Sequence, residues 1–190
     1  PFDESAVDLL VSLNVPAFKV ASFEIVDLPL IKYIASKKKP ILMSTGMASL
    51  EEIGNAAESA KSAGNQDLAL FHCISSYPAP ISESNLNLIT ILRKEFSIQV
   101  GLSDHTIGNL ASVVATSLGA SMIEKHFTLN RSEGGVDSSF SLEPKEMELL
   151  VKQTREAFSA LGCNTFARST SEESNKVFRR SLYFVKDVNE

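Results

Sequence analysis

Val100-Gly-Leu-Ser-Asp-His-Thr-Ile-Gly108 starts apolar, passes through Ser103, Asp104 and His105, and ends on a glycine. It reads as a buried strand that delivers polar groups at its carboxyl end and then opens a helix. About twenty residues later the pattern recurs in Met122-Ile-Glu-Lys-His-Phe127. His105 and His126 are thus expected at the ends of two consecutive strands. In a parallel sheet those ends lie side by side on one face, where two histidines are able to share one metal ion.

Working outward, strands and helices alternate with a repeat of roughly 20 to 30 residues, the pattern of a parallel sheet. Asp3 is expected to cap a first helix with Ala6, Leu9, Leu10 and Leu13 on its apolar side. Ala17 to Ser22 is the first strand. Asp27 caps a second helix with Pro29 in its first turn, and Pro40 to Ser44 follows as a strand. Ser49 and Glu52 form a capping box for a third helix. Leu68 to Cys73 is the third strand, and a stiff Ser75 to Pro80 loop leads to a helix from Asn85 to about Phe96. The His105 strand, a helix over Asn109 to Leu118, the His126 strand and a loop from Arg131 to Ser141 come next. A long helix starts near Pro144, with Met147, Leu150, Val151, Thr154, Phe158 and Leu161 as its expected buried side.

A doubly wound sheet and a (β/α)8 TIM barrel both fit this alternation. Polar residues close every strand, and no glycine-rich dinucleotide fingerprint follows any of them, which favours the barrel. Five strands are visible, so a partial barrel lacking about three N-terminal β/α units is expected. The opening Pro1-Phe-Asp and the close at Val185 to Glu190 both read as cuts in a longer protein. Residues 1–163 are assigned to the barrel and 164–190 to a linker. An open half-barrel exposes two sheet edges, so poor solubility is expected of the piece alone.

The chain has 190 residues, 44% hydrophobic and 22% charged, with a net charge of −5. That charge, with no basic stripe, argues against nucleic acid as a partner. Lys37-Lys38-Lys39 reads as a solvated loop. No apolar run is long enough to span a membrane. Cys73 and Cys163 are too few and too scattered for a disulfide framework, and a cytoplasmic location is expected.

Strand side chains alternate between faces. The parity that turns Lys19, His105 and His126 inward also turns Ser103 and Glu124 inward. Phe18, Val20, His72, Asp104 and Lys125 then face the helices. Asp104 either orients a neighbouring loop or backs a ligand histidine. Cys73 reads as a small buried residue, and Arg131 and Glu133 as solvated loop charges.

Five segments in register now carry a resemblance. They are Lys19 to Glu24, Met43 to Met47, Cys73 to Pro80, Gly101 to Thr106 and Ile123 to Phe127. Together they resemble the sialic-acid synthase family, which condenses phosphoenolpyruvate with an N-acylated amino sugar to make a nonulosonic acid. Ala21-Ser-Phe-Glu24 and Gly135 to Pro144 are most similar to the pseudaminic-acid branch. That implies 2,4-diacetamido-2,4,6-trideoxy-altrose as the acceptor, with the N-acetylneuraminate and legionaminate branches as alternatives. The resemblance implies a divalent ion, Mn2+ before Mg2+ or Co2+, held by His105 and His126 and acting as a Lewis acid on the sugar aldehyde. It also implies Lys19, Ser22, Ser44, Ser75 and Ser103 as phosphoenolpyruvate or substrate contacts. Tyr77 and Asp137 would be sugar-contacting or site-shaping positions, and Glu24 the carboxylate that positions water or moves a proton. A homodimer and a C-terminal antifreeze-like domain beyond Arg179 to Tyr183 are implied as well. Two further readings stand beside this one: a Schiff-base aldolase using Lys19, and a non-catalytic barrel kept for binding.

Overall fold

The structure is a computed structural model that describes residues 1–163, 165–187 and 189. Asn164, where the expected linker starts, and Val188 and Glu190 in the closing stretch lie outside the described residues.

Five β/α units follow one another. α1 (Glu4–Ser12) leads to β1 (Phe18–Val20), a 3-10 turn over Ser22–Glu24 and α2 (Leu28–Ser36). Then come β2 (Ile41–Ser44), α3 (Leu50–Ser62), β3 (Leu68–Cys73), α4 (Leu88–Phe96), β4 (Gln99–Asp104), α5 (Leu110–Ser117), β5 (Ile123–Lys125) and α6 (Pro144–Ala160). A short α7 (Thr170–Glu173) lies in the polar tail. The caps follow from local chemistry. The Asp3 carboxylate accepts from the Ala6 N–H, and Asp27 does the same for Leu30. Ser49 and Glu52 satisfy each other's backbone N–H groups at the start of α3.

All strands pair in parallel, in the order β1-β2-β3-β4-β5. A doubly wound sheet reverses its strand order at a switch point, and this one does not. It also curls. Neighbouring strands sit about 4.8 Å apart, so β1 and β5 would lie about 19 Å apart in a flat sheet. Yet Lys19 Nζ on β1 lies 2.8 Å from Glu124 Oε1 on β5. Only a sheet wrapped toward the face carrying both residues brings those atoms together. The fold is therefore a parallel α/β half-barrel.

The register fixes the two faces. Phe18 pairs with Ile41, Val20 with Met43, Met43 with Leu70, and Leu70 with Val100. These side chains are fully or almost fully buried, and with Ile31, Ile34 and Ile89 they fill the space between sheet and helices. Lys19, Leu42, Phe71, Ser103 and Glu124 take the alternate, concave side.

Three expectations about packing need correction. In α1 the buried residue is Val7, whereas Leu9 and Leu13 are exposed. A short helix packed chiefly on α2 needs a narrow stripe, and Val7 with Leu10 supplies it. In α6 only Leu150 is buried, while Val151, Phe158 and Leu161 are exposed. β5 is an edge strand, so α6 has no strand beyond it to cover. Arg131 is not a free loop charge: it donates to both Glu146 carboxylate oxygens and to the Ser141 carbonyl, tying the loop to α6.

Candidate active site

The concave mouth gathers polar groups at or just past the strand ends: Ser22 after β1, Ser44 closing β2, and Ser75 after β3. β4 and β5 stop at Asp104 and Lys125, so His105 and His126 stand one residue past their strands. Their rings are 5.2 Å apart between centroids and cross at 70°. His105 is pinned from several sides. Its Nδ1 lies 2.8 Å from the Ile74 carbonyl, and its own carbonyl accepts from the Ala79 N–H at 2.9 Å. The carbonyl can only accept, so Nδ1 carries the proton and Nε2 keeps its lone pair. Tyr77 covers the ring at 4.2 Å. His126 is looser. Its Nδ1 lies 3.5 Å from Asp137 Oδ2, and Phe140 packs on it at 5.0 Å.

Serine hydroxyls cluster beside them. Ser22 Oγ accepts from the Gly46 N–H at 3.1 Å. A side chain at Gly46 would collide with the Ser22 and Ser75 hydroxyls, so only glycine lets β2's end approach them this closely. Ser44 is 2% exposed, and its Oγ has no hydrogen-bond partner among the described residues. Glu24 Oε2 is buried and equally unpartnered. Lys19 pairs with Glu124 and stands 5.3 Å over the Phe71 ring. Ser103 Oγ donates to the same Glu124 oxygen at 2.7 Å.

Charge and burial compete at these groups. Burial pushes the Glu124 carboxyl up, but the Lys19 ammonium and the Ser103 hydroxyl outweigh it, and the net shift is down. Burial also pushes His105 down, yet contact with Cys73 and the Ile74 carbonyl carries it up overall. His126 is pushed down, first by burial and then by the charge of His105. Cys73 Sγ lies 3.8 Å from His105 Nδ1. Its burial raises the thiol, but His105, Ser22 and Ser75 reverse that to a net lowering.

Ser22, Ser75, Tyr77, His105 and His126 lie together, while Asp137 is exposed on the loop and sets its carboxylate beside His126. Glu124 was expected inward, but its pairing with Lys19 across 105 positions of sequence was not visible. Phe140 and Gly46 were missed. The Thr45-Gly46 punctuation at a strand end was the signal for the glycine, while nothing local marks Phe140. His72 faces away as expected, with Nε2 2.7 Å from the Ser84 carbonyl. A groove of about 740 Å³ between α5 and α6 is lined by none of the mouth residues.

A divalent ion fits the histidine pair. The Nδ1–H of His105 given to a carbonyl is the usual way a ligand imidazole is oriented. No group of three or more His, Cys, Asp or Glu side chains suitable for a metal occurs among the described residues. His105 and His126 would hold the ion, with water or substrate oxygens completing the coordination.

Comparison with known proteins agrees with this geometry. The model of the NeuB family matches residues 1–165. Pseudaminic acid synthase of Helicobacter pylori is 42% identical over 99% of this chain, which spans 56% of that protein. N,N'-diacetyllegionaminic acid synthase of Campylobacter jejuni is 44% identical over 99% of this chain and 57% of its own length. The chain thus spans little more than half the length of these curated relatives. The crystal structure of N-acetylneuraminic acid (sialic acid) synthetase from Leptospira borgpetersenii superposes with a TM-score of 0.88 at 34% identity, covering 96% of this chain and 64% of that one. The five strand-end motifs, the half-barrel that carries them and these matches have one explanation: the chain belongs to the NeuB family of sialic acid synthases.

Proposed function

We propose that this chain is the catalytic wall of a nonulosonic acid synthase, which condenses phosphoenolpyruvate with the aldehyde of an N-acylated amino sugar. The convergence of Lys19, four serine hydroxyls and the His105–His126 pair on one concave mouth carries this reading. The complete barrel has eight units, three of them N-terminal to these five. Residues 164–190 lead toward a further domain, and the working enzyme is a homodimer.

Lys19 and the hydroxyls of Ser22, Ser44, Ser75 and Ser103 hold the anionic groups of phosphoenolpyruvate. His105 and His126 would hold Mn2+, which supplies Lewis acidity at the sugar aldehyde. Tyr77, Phe140 and Asp137 shape the sugar side. The enol carbon attacks the aldehyde carbon and forms the new C–C bond. The oxocarbenium carbon left behind takes up water, positioned by the unpartnered Glu24 carboxylate, which also accepts its proton. Collapse of the tetrahedral intermediate breaks the C–O bond and releases phosphate.

A Schiff-base aldolase needs Lys19 as a free amine. Its ion pair with Glu124 opposes that. Pseudaminic acid is the favoured product, on the Ala21-Ser-Phe-Glu24 and Gly135 to Pro144 segments. Legionaminic acid is the second reading, since the legionaminic synthase is as similar to this chain as the pseudaminic one.

The test is phosphate release by the full-length protein from phosphoenolpyruvate labelled with 18O at the bridging oxygen. Release with 2,4-diacetamido-2,4,6-trideoxy-altrose, with the label in the phosphate absent and the label in the sugar acid present, would indicate P–O cleavage and overturn the mechanism. Label in the phosphate supports C–O cleavage. Release with another amino sugar moves the branch, and no release with any of them overturns the assignment.

A further inference from the structure

Behind the two histidines, on the face toward the helices, a second polar cluster is sealed from water. Asp104 and Lys125 are 1% and 2% exposed at their side chains, and their charges meet at 2.9 Å. The carboxylate is fully engaged. Oδ2 accepts from Ser112 Oγ of α5 at 2.6 Å, and Oδ1 accepts from both the N–H and the hydroxyl of Thr106 at 2.8 Å. Lys125 also donates to the Thr106 carbonyl.

The position of this cluster matters more than its strength. Asp104 and Lys125 are register partners in the β4–β5 ladder, and each immediately precedes a histidine. Side chains alternate, so the ion pair lies on the outer face one step before the histidines on the inner face. Between them the two charged groups grip both backbone groups of Thr106, the residue after His105. One step earlier, Ser103 and Glu124 make the same cross-strand tie on the inner face. β5 is a strand of three residues, and beyond it the Leu142 N–H donates to the His126 carbonyl at 2.9 Å. That bond holds the backbone after Lys125, while the ion pair ties it to β4. Buried ion pairs are generally no more stabilising than apolar pairs of similar size. An apolar pair here would leave the Thr106 N–H and carbonyl without these partners.

We infer that Asp104 and Lys125 are positioning residues, a cross-strand clamp that sets the separation and orientation of His105 and His126 for a divalent ion. This rests on the reading of the histidines as the ligand pair. The clamp touches neither substrate nor ion, and acts only through the two backbones.

The test uses full-length protein, with Mn2+ affinity read by electron paramagnetic resonance and thermal stability read alongside. The Asp104→Asn, Lys125→Met double variant removes both charges and leaves neither one buried alone. It is expected to fold and to bind Mn2+ about 10- to 100-fold more weakly, the usual cost of losing an outer partner of a metal ligand. Lys125→Arg keeps the charge and is expected to restore most of the affinity relative to Lys125→Met. A folded double variant with parental affinity overturns the clamp. If the double variant does not fold, Ser112→Ala decides. It keeps the ion pair, loses one hydrogen bond to Asp104, and is expected to weaken Mn2+ binding about two- to fivefold; parental affinity there overturns the clamp equally. Failure of the parent protein itself to bind Mn2+ would instead overturn the ligand reading on which the clamp rests.

Discussion

β1 to β4 with α1 to α5 form a deeply buried wall, while β5, the loop after it and α6 form a more exposed flank. Almost every fully buried side chain belongs to the wall, from Val7 through Ala115. On the flank, Phe158, Leu161 and Val136 are exposed, and β5 is only three residues long. Each region supplies one of the two histidines. His105 comes from the wall and is held by the Ile74 carbonyl and the Ala79 N–H. His126 comes from the flank and has a single distant carboxylate beside its ring. Both histidine carbonyls accept a backbone N–H, from Ala79 and from Leu142. The rings differ: that of His105 is fixed by the core, and that of His126 rests on the loop.

The largest expected effect breaks the tie between wall and flank. Lys125→Met alone leaves the Asp104 carboxylate buried without its cation, which costs about 3–5 kcal/mol. Urea denaturation of the full-length protein measures it. A loss below about 1 kcal/mol would mean that the flank does not need the pair. Next in size is a direct contrast of the two regions in this chain. Leu70 is fully buried on β3, so Leu70→Ala should cost about 2–5 kcal/mol. Phe158 is mostly exposed on α6, so Phe158→Ala should stay within about 0.5 kcal/mol. Equal losses would erase the distinction between wall and flank.

The same contrast explains what the sequence made legible. The wall was readable because its signals are local: capping residues at Asp3, Asp27 and Ser49, β/α alternation, and strand parity that set Lys19, Ser103 and His105 on one side. The flank was less readable because its contacts are not local. The apolar side of α6 has the right 3.6-residue spacing, but periodicity states which residues are able to pack, not whether anything is there to receive them. Arg131 looked like a solvated charge because its partner Glu146 lies across a loop of irregular backbone. Lys19 and Glu124 meet only because the sheet curls, and no window of sequence contains both. Val7 was missed for a smaller reason: a short helix resting on one neighbour buries one or two positions, too few for a pattern to stand out.

A third prediction probes the wall at the hydroxyls proposed to hold phosphoenolpyruvate. Gly46→Ala places a methyl group against the Ser22 and Ser75 hydroxyls. The backbone there must retreat, and the KM for phosphoenolpyruvate should rise about tenfold, equivalent to the loss of roughly one charge-assisted hydrogen bond. Steady-state kinetics on the full-length enzyme reads this. An unchanged KM would remove Gly46 and its two serines from the phosphoenolpyruvate side of the mouth.

The smallest expected effect separates the two histidines themselves. In metal-free protein the Asp137 carboxylate favours the imidazolium of His126, against burial and the charge of His105, which together hold that ring below the ordinary histidine value. Removing the carboxylate with Asp137→Asn therefore shifts His126 further down, because only the charged form loses an interaction. His105 should not respond, since its ring is set by burial, Cys73 and the Ile74 carbonyl, and Asp137 is not among its influences. A pH titration followed by nitrogen-detected NMR of the two imidazoles reads both rings in one experiment. It also reports the tautomer: His105 should keep its proton on Nδ1 in parent and variant, while His126 is free to change. Movement of both rings together would mean that they titrate as one coupled pair, and that the fixed histidine of the wall and the loose one of the flank are a single unit.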